Sequence, residues 1–272
     1  LTSSVKVLEK DGKHIKLLFE GYERPFLNAL RRIALAEVPV LAIDDVIILE
    51  NTSPVYDEII AHRLGLIPLN TPLDKYPLPE DCDCGSPSGC PKCRVMMVLD
   101  AAAGDEARTV FSGELLSPED PEVKPVSAAI PIVKLAPGQK VKIEAYARMG
   151  RGWEHAKWQA ANVSVLKPHP QVEAKVKKVG PEAAGIEEVC PVDILRVEAG
   201  SLKVTDEAKC TLCMECVKAY PDVIDVREKQ GSFFLEIESA GAMSAQAILA
   251  KALQILQSQL SDLGAKVSGE TK

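Results

Sequence analysis

Eight cysteines, gathered in two close groups, restrict what this chain can fold into more than any other feature. In "CTLCMECVKAYP" three of them fall at C-x2-C-x2-C, namely Cys210, Cys213 and Cys216. Two-residue spacers turn the chain tightly enough to crowd thiolates around irons, and the bacterial ferredoxin run adds a fourth cysteine three residues on, followed by proline. Pro221 is present here, but Tyr220 precedes it. A remote cysteine–proline pair, Cys190–Pro191 in "VCPVDIL", lies twenty residues before Cys210. Between them "DILRVEAGSLKVT" reads as a hairpin with a Gly-Ser turn. The set Cys190, Cys210, Cys213 and Cys216 therefore reads as the ligands of one cluster in a ferredoxin-like module that has lost its second. Two absences agree: Tyr220 stands at the second cluster's ligand position, and "KVGPEAAGIEEVCP" has no cysteine upstream of Cys190. A [4Fe-4S] cluster would use all four thiolates, and a [3Fe-4S] cluster would leave one free. A zinc site, a disulfide or free thiols are the competing readings. Such a cluster need not carry electrons, because it can staple a module whose apolar core is too thin to fold alone.

The other group, "CDCGSPSGCPKC", sets Cys82, Cys84, Cys90 and Cys93 at C-x-C-x5-C-x2-C. Its C-x2-C half resembles a zinc knuckle, and four thiolates would fill a tetrahedral shell with no open catalytic position. A structural zinc site is expected, with a disulfide pair or reduced thiols as the alternatives.

Neither group reads as a secretory disulfide framework. The opening "LTSSVKVLEKDGKHIKLLFE" breaks its apolar stretches with charge and lacks a signal-peptide h-region. No uncharged apolar run approaches the roughly 18 residues of a membrane helix, so a cytoplasmic protein with no membrane contact is expected. Close C-x2-C pairs in that setting favour metal or redox chemistry, while the intracellular disulfides of hyperthermophiles keep the other reading open. With 272 residues, 46% hydrophobic and 26% charged, the chain has room for one large or two to three small domains. A formal charge of −7 and an aromatic content of 4% disfavour tight nucleic-acid binding by this chain alone.

Hydrophobic periodicity predicts strands around Val5–Leu8 and Ile15–Phe19, joined by "KDGK", then a helix over "ERPFLNALRRIALAEVP" that Pro39 ends. "VPVLAIDDVIILEN" reads as two short strands. "SPVYDEIIAHRLGLIPL" reads as a helix capped by Ser53 and stopped at Gly65. Residues 70–94 read as loop, and "VMMVLD", "ARTVFSG", "IPIVKL" and "QKVKIEAYAR" as strands. Between His169 and Gly185 only "VEAKVKKV" looks strand-like, and "SFFLEIES" is a later strand. No nucleotide or hydrolase motif is present, and His14, His62, His155 and His169 form no metalloprotease pattern. His62 and Arg63 suit a helix end or an interface, "MGRGWEHAKW" a surface turn with packed or interface aromatics, and Asp44 and Asp45 exposed acids rather than a metal pair.

With no catalytic constellation, the amphipathic helices carry the information. In "SAQAILAKALQILQSQLSDLG" the residues Leu249, Leu253, Leu256, Leu260 and Leu263 step by four and three, with Ser244 as cap and Gly264 as stop. The stripe either covers a sheet of its own chain or meets a partner helix.

"FEGYERPFLNALRRIALAEVPVLAID" followed by "NTSPVYDEIIAHRLGLIPL" resembles the N-terminal signature of the D-type platform family of archaeal RNA polymerases. That family is the counterpart of subunit three of eukaryotic polymerase II and of the bacterial alpha subunit. The resemblance continues through "IPIVKL", "GWEHAKW" and the terminal "EIES" plus helix, and the ferredoxin-like insert is similar to one known in many of its lineages. It implies an α+β fold with a discontinuous dimerisation domain (1–47, 158–175 and 228–272), a mainly β insert domain (48–157) holding the first cysteine group, and an iron–sulfur module (176–227). It also implies a non-catalytic subunit of a nucleotidyltransferase complex. This subunit would pair with subunit L through Phe26, Leu27, Leu30 and Ile33 and the terminal leucines, and nucleate assembly of the large catalytic subunits. Subunits N and P would join, Arg31 and Arg32 would face the second-largest subunit, and there would be little or no direct nucleic-acid contact. In the insert domain the family often binds zinc, and the C-x-C-x5-C-x2-C spacing is looser than a zinc ribbon's. The rival class is a ferredoxin-like electron carrier fused to a protein-binding domain.

Overall fold

The computed structural model describes residues 3–72, 75–86, 89–176, 178–180 and 185–269. The fold is α+β. Two strands, β1 (Ser4–Lys10) and β2 (His14–Glu20), lead into helix α1 (Arg24–Ala36). Their turn is set by Asp11, whose side chain accepts the backbone N–H groups of Lys13 and His14, both at 2.7 Å, as an Asx turn does. There follow β3 (Val40–Asn51), α2 (Asp57–Gly65), β4 (Arg94–Ala102), β5 (Arg108–Phe111), β6 (Pro131–Leu135), β7 (Lys140–Gly150) and β8 (Ala161–Ala174). The chain closes with β9 (Leu195–Glu198), β10 (Ser201–Val204), α3 (Glu215–Ala219), β11 (Ile224–Ser239) and α4 (Ala245–Ser268). The sheets run β1-β2-β11-β8, β3-β7-β4, β5-β6 and β10-β9.

Two compact units divide these elements. One takes residues 1–8, 16–27 and 165–235; the other takes 9–15, 28–164 and 236–272. The larger unit is organised by the antiparallel β3-β7-β4 sheet. Alternation along β4 and β7 turns Val95, Met97, Leu99, Val141, Ile143, Ala145 and Ala147 inward, and α2 adds Ile60 and Leu64 to the same core. In the smaller unit a separate core gathers Ile186, Ile194, Leu195, Leu202 and Ile224 around Cys210 and Cys216.

Several expectations need correction. "VPVLAIDDVIILEN" is one strand, β3, irregular between Ile43 and Asp45 and again between Ile48 and Glu50; bulges there replace the expected break. Ser53 does not cap α2, which begins at Asp57 after Tyr56 with no side-chain cap. Instead the Ser53 hydroxyl donates to Asn51 Oδ1 at 2.7 Å in the preceding turn. Gly264 does not stop α4, which continues to Ser268 and ends on Gly269 at φ 76°, the left-handed residue that closes helices. The hairpin turn falls on Ala199 and Gly200, at φ 51° and 75°, one residue ahead of Gly-Ser. "VEAKVKKV" is strand only at its start, the end of a longer strand than expected: β8 runs through Pro168 and Pro170 to Ala174. It lies at a sheet edge, where a residue without an N–H breaks no ladder. In the rest of that segment Lys177 lies outside the described residues.

Candidate functional site

The loop that delivers the chain into β4 carries the first cysteine group. Cys90 and Cys93 close a knuckle, in which the N–H groups of Cys93 and Arg94 donate to the Cys90 carbonyl at 3.0 and 2.9 Å. The Cys90 N–H points at the Cys93 sulfur, 3.2 Å away. Gly89 precedes the knuckle at φ 73°, and a Cβ built there would meet the Arg94 side chain at 2.4 Å. The sulfurs of Cys82 and Cys90 stand 3.9 Å apart, those of Cys84 and Cys93 4.0 Å, and those of Cys90 and Cys93 3.9 Å. All four lie within 4.8 Å of one another. A metal held tetrahedrally by thiolates at about 2.3 Å separates its sulfurs by about 3.8 Å. The nest thus matches one ion in donor type, number and spacing.

Its thiols share their protons unequally. The backbone N–H of Lys92 is the largest influence on Cys90; with bonds from Cys84 and Cys82 it outweighs desolvation and brings that thiol down to about 7. A bond from the Cys84 backbone pulls on Cys82 first, but desolvation and its bonds to the other three thiols push it up to about 12. Burial also raises Cys93. Binding an ion here must expel protons.

The second group is built differently. Cys190 opens a turn closed by the Asp193 N–H on its carbonyl at 3.1 Å. In the triplet, Leu212 and Met214 take left-handed conformations at φ 56° and 64°, which bend the chain on either side of Cys213 without glycine. Such single-residue reversals turn backbone N–H groups into an anion-binding concavity. Cys190, Cys210, Cys213 and Cys216 all line one small apolar pocket, walled by Val172, Ile194, Leu195 and Val226. Burial is the first cause that pushes the Cys216 thiol up, and the charges of Cys210, Cys190 and Cys213 add to it. These four thiols share one apolar pocket, whereas the first four close on a point.

The terminal helix presents two faces. Ser244 caps it by accepting the Ala247 N–H at 3.2 Å, and Ala245, Ile248, Ala252 and Leu256 are buried. Leu249 is half-buried, whereas Leu253, Leu260, Leu263 and Val267 are 44–80% exposed. From Gln257 to Ser268 only Ala265 is even half-buried. Helix α1 contrasts with it. Leu27 and Leu30 are wholly buried and Ile33 nearly so, and only Phe26, at 37% exposure, keeps a surface. The expectation that this whole face is offered to a partner is corrected, because its leucines already fill the chain's own interior. Arg31 is half-buried and donates to Asn28 Oδ1 at 3.0 Å, while Arg32 is exposed.

The other polar residues noted in the sequence have structural work. Arg148 Nε and Lys157 Nζ reach Asp44 at 2.6 and 2.7 Å, and Asp45 pairs with Arg94. Burial acts most strongly on Asp44 and would raise its carboxyl, but those two cations together hold it below its usual range. The same cations flank the buried Trp158 ring at 4.2 and 4.3 Å. His14 meets Glu236 at 2.9 Å, His169 meets Ser232 at 2.9 Å, and His155 accepts the Lys157 N–H at 3.0 Å. Sequence reading missed the buried Asp120, which accepts Tyr76 Oη at 2.5 Å and Lys75 Nζ at 2.8 Å; no motif signals a pairing across 44 residues.

The family model of the RNA polymerase Rpb3/Rpb11 dimerisation domain matches residues 16–260. A DNA-directed RNA polymerase subunit Rpo3 of Methanosphaera stadtmanae is 38% identical over 96% of this chain and 97% of its own length. Proteins of the same name are 40% identical in Pyrobaculum calidifontis, covering 95% and 94% of the two chains, and 36% in Aeropyrum pernix, covering 94% and 92%.

Proposed function

The chain belongs to the family of the RNA polymerase Rpb3/Rpb11 dimerisation domain, and from that premise we propose that it is a non-catalytic assembly platform of an archaeal DNA-dependent RNA polymerase. The observation that carries the reading is the terminal helix, anchored by one face and bare along the other. A stripe of this length is an interface in waiting. In this reading it pairs with the small subunit L, Phe26 adding at the margin, and the pair receives the large catalytic subunits together with N and P. Arg31 and Arg32 face the second-largest subunit, and nucleotide addition takes place in the large subunits. The protein works in the cytoplasm, where that polymerase transcribes.

Metal sites hold the platform's shape. Cys82, Cys84, Cys90 and Cys93 would hold zinc, whose four-thiolate shell matches the nest's spacing. Cys190, Cys210, Cys213 and Cys216 would hold an iron–sulfur cluster, [4Fe-4S] or [3Fe-4S], because a C-x2-C-x2-C run and a remote cysteine–proline pair line one apolar pocket. Bound there, the cluster would cross-link Cys190 to the Cys210–Cys216 run. The residues themselves shape the cavity, keep it apolar and bend the backbone toward it. This module (176–227), the insert domain (48–157) and the three-part dimerisation domain are the functional divisions proposed.

Anaerobic copurification with subunit L tests the reading. A stable heterodimer is expected, and a chain that stays monomeric beside subunit L sinks it. One observation favours the electron-carrier alternative: Cys213 is exposed, which would bring a cluster close to the surface. That alternative requires reversible reduction coupled to an oxidoreductase recovered in place of polymerase subunits.

A further inference from the structure

Asp83 and Lys92 stand inside the two halves of the first cysteine group, Asp83 between Cys82 and Cys84, and Lys92 between Pro91 and Cys93. The Lys92 ammonium reaches both carboxylate oxygens of Asp83, at 3.1 and 3.3 Å. One of those oxygens lies 3.9 Å from the Cys82 sulfur. A divalent ion held by four thiolates leaves the site with a net charge of two minus. Asp83 would add a third negative charge at contact range, and like charges repel one another.

We infer that Lys92, by pairing with Asp83, is a positioning residue for the four-thiol metal site: it offsets the carboxylate beside Cys82 and ties the C-x-C half to the C-x2-C half. The inference rests on the zinc reading above. Both side chains are largely exposed, at 69% and 76%, so salt screens the pair, and its effect falls at or below the low end of the 10–100-fold typical of groups behind metal ligands.

The test is zinc affinity of the full-length, anaerobically purified chain, by competition with a chromophoric chelator. The site's share is defined by subtracting a C90S/C93S variant. Lys92→Gln should weaken binding by roughly 3–10-fold at low ionic strength, and the loss should shrink near 1 M salt as screening removes it. Lys92→Arg should restore affinity. Asp83→Asn should bind at least as well as the unaltered protein, and in the double variant D83N/K92Q the loss should largely vanish. Equal affinity of Lys92→Gln and the unaltered chain at low salt overturns the inference while leaving the zinc site standing. A loss that persists at high salt, or in the double variant, assigns Lys92 a merely steric role and also overturns it. If the unaltered chain holds no more zinc than C90S/C93S, the zinc reading itself falls and takes the inference with it.

Discussion

At the scale of single residues, two positions away from the cysteines resist replacement. Asp120 is buried and accepts from three donors, Lys75, Tyr76 and the Glu122 backbone N–H. The bond to Lys75 is the larger cause of its lowered carboxyl pKa, and the Tyr76 hydroxyl is the next. Tyr76→Phe should cost about 1.5–3 kcal/mol, the usual loss for a bond to a buried charge. A carboxyl depressed in the folded state stabilises fully above its unfolded value of about 3.9 and loses that contribution as pH falls through its lower folded value. The gap between wild type and Tyr76→Phe in denaturant melts should therefore be largest near neutrality and close in acid. Gly150 makes a second case. A Cβ there would meet the Trp158 ring at 2.4 Å, so Gly150→Ala should destabilise by about 1–3 kcal/mol through overpacking, read by the same melts. The first cysteine group was legible at this scale because its four converging thiols are local in sequence. Asp120 was not, since its partner lies 44 residues away and nothing in either segment announces the other.

Secondary-structure elements were legible where one face decides their period. The alternation of β4 and β7 and the capped start of α4 could be read directly, for burial on one side imposes a period of two or of 3.6. Two departures share a cause, which is that an element's neighbours set its limits. β8 tolerates Pro168 and Pro170 at an edge, and β3 absorbs its irregularities as bulges. By contrast α4 passes Gly264 with few neighbours and finishes at Gly269, which takes the left-handed conformation. The faces of α4 make opposite predictions. Ile248 is wholly buried, so Ile248→Ala should cost about 2–5 kcal/mol of stability. Leu253 and Leu260 are largely exposed, so the double change to Asp should leave the melt of the free chain within about 0.5 kcal/mol. It should nevertheless abolish capture by subunit L in a pull-down. If the Leu253 and Leu260 double variant still pairs, the bare stripe is not the interface.

For the whole molecule, the two compact units have separate cores, and each holds one cysteine group. Calorimetry of the metal-replete chain should resolve two transitions, because separately cored units break two-state behaviour. Cys216→Ser should lower one of them by about 5 °C or more, given several kcal/mol lost from a unit of this size, and leave the other in place. Chelating the ion of the first group should do the reverse. A single transition that responds to both treatments would show that the units melt as one.

The uncovered last turns of α4 also set a limit on how this protein is kept in a cell. A newly made copy displays Leu260, Leu263 and Val267 to whatever it meets first, and a surface of that kind recruits chaperones and proteases when it goes unclaimed. In the reading proposed above, synthesis beyond the supply of its companion would produce turnover in place of accumulation. The steady level of this subunit would then be metered by the other one through an uncovered helix end.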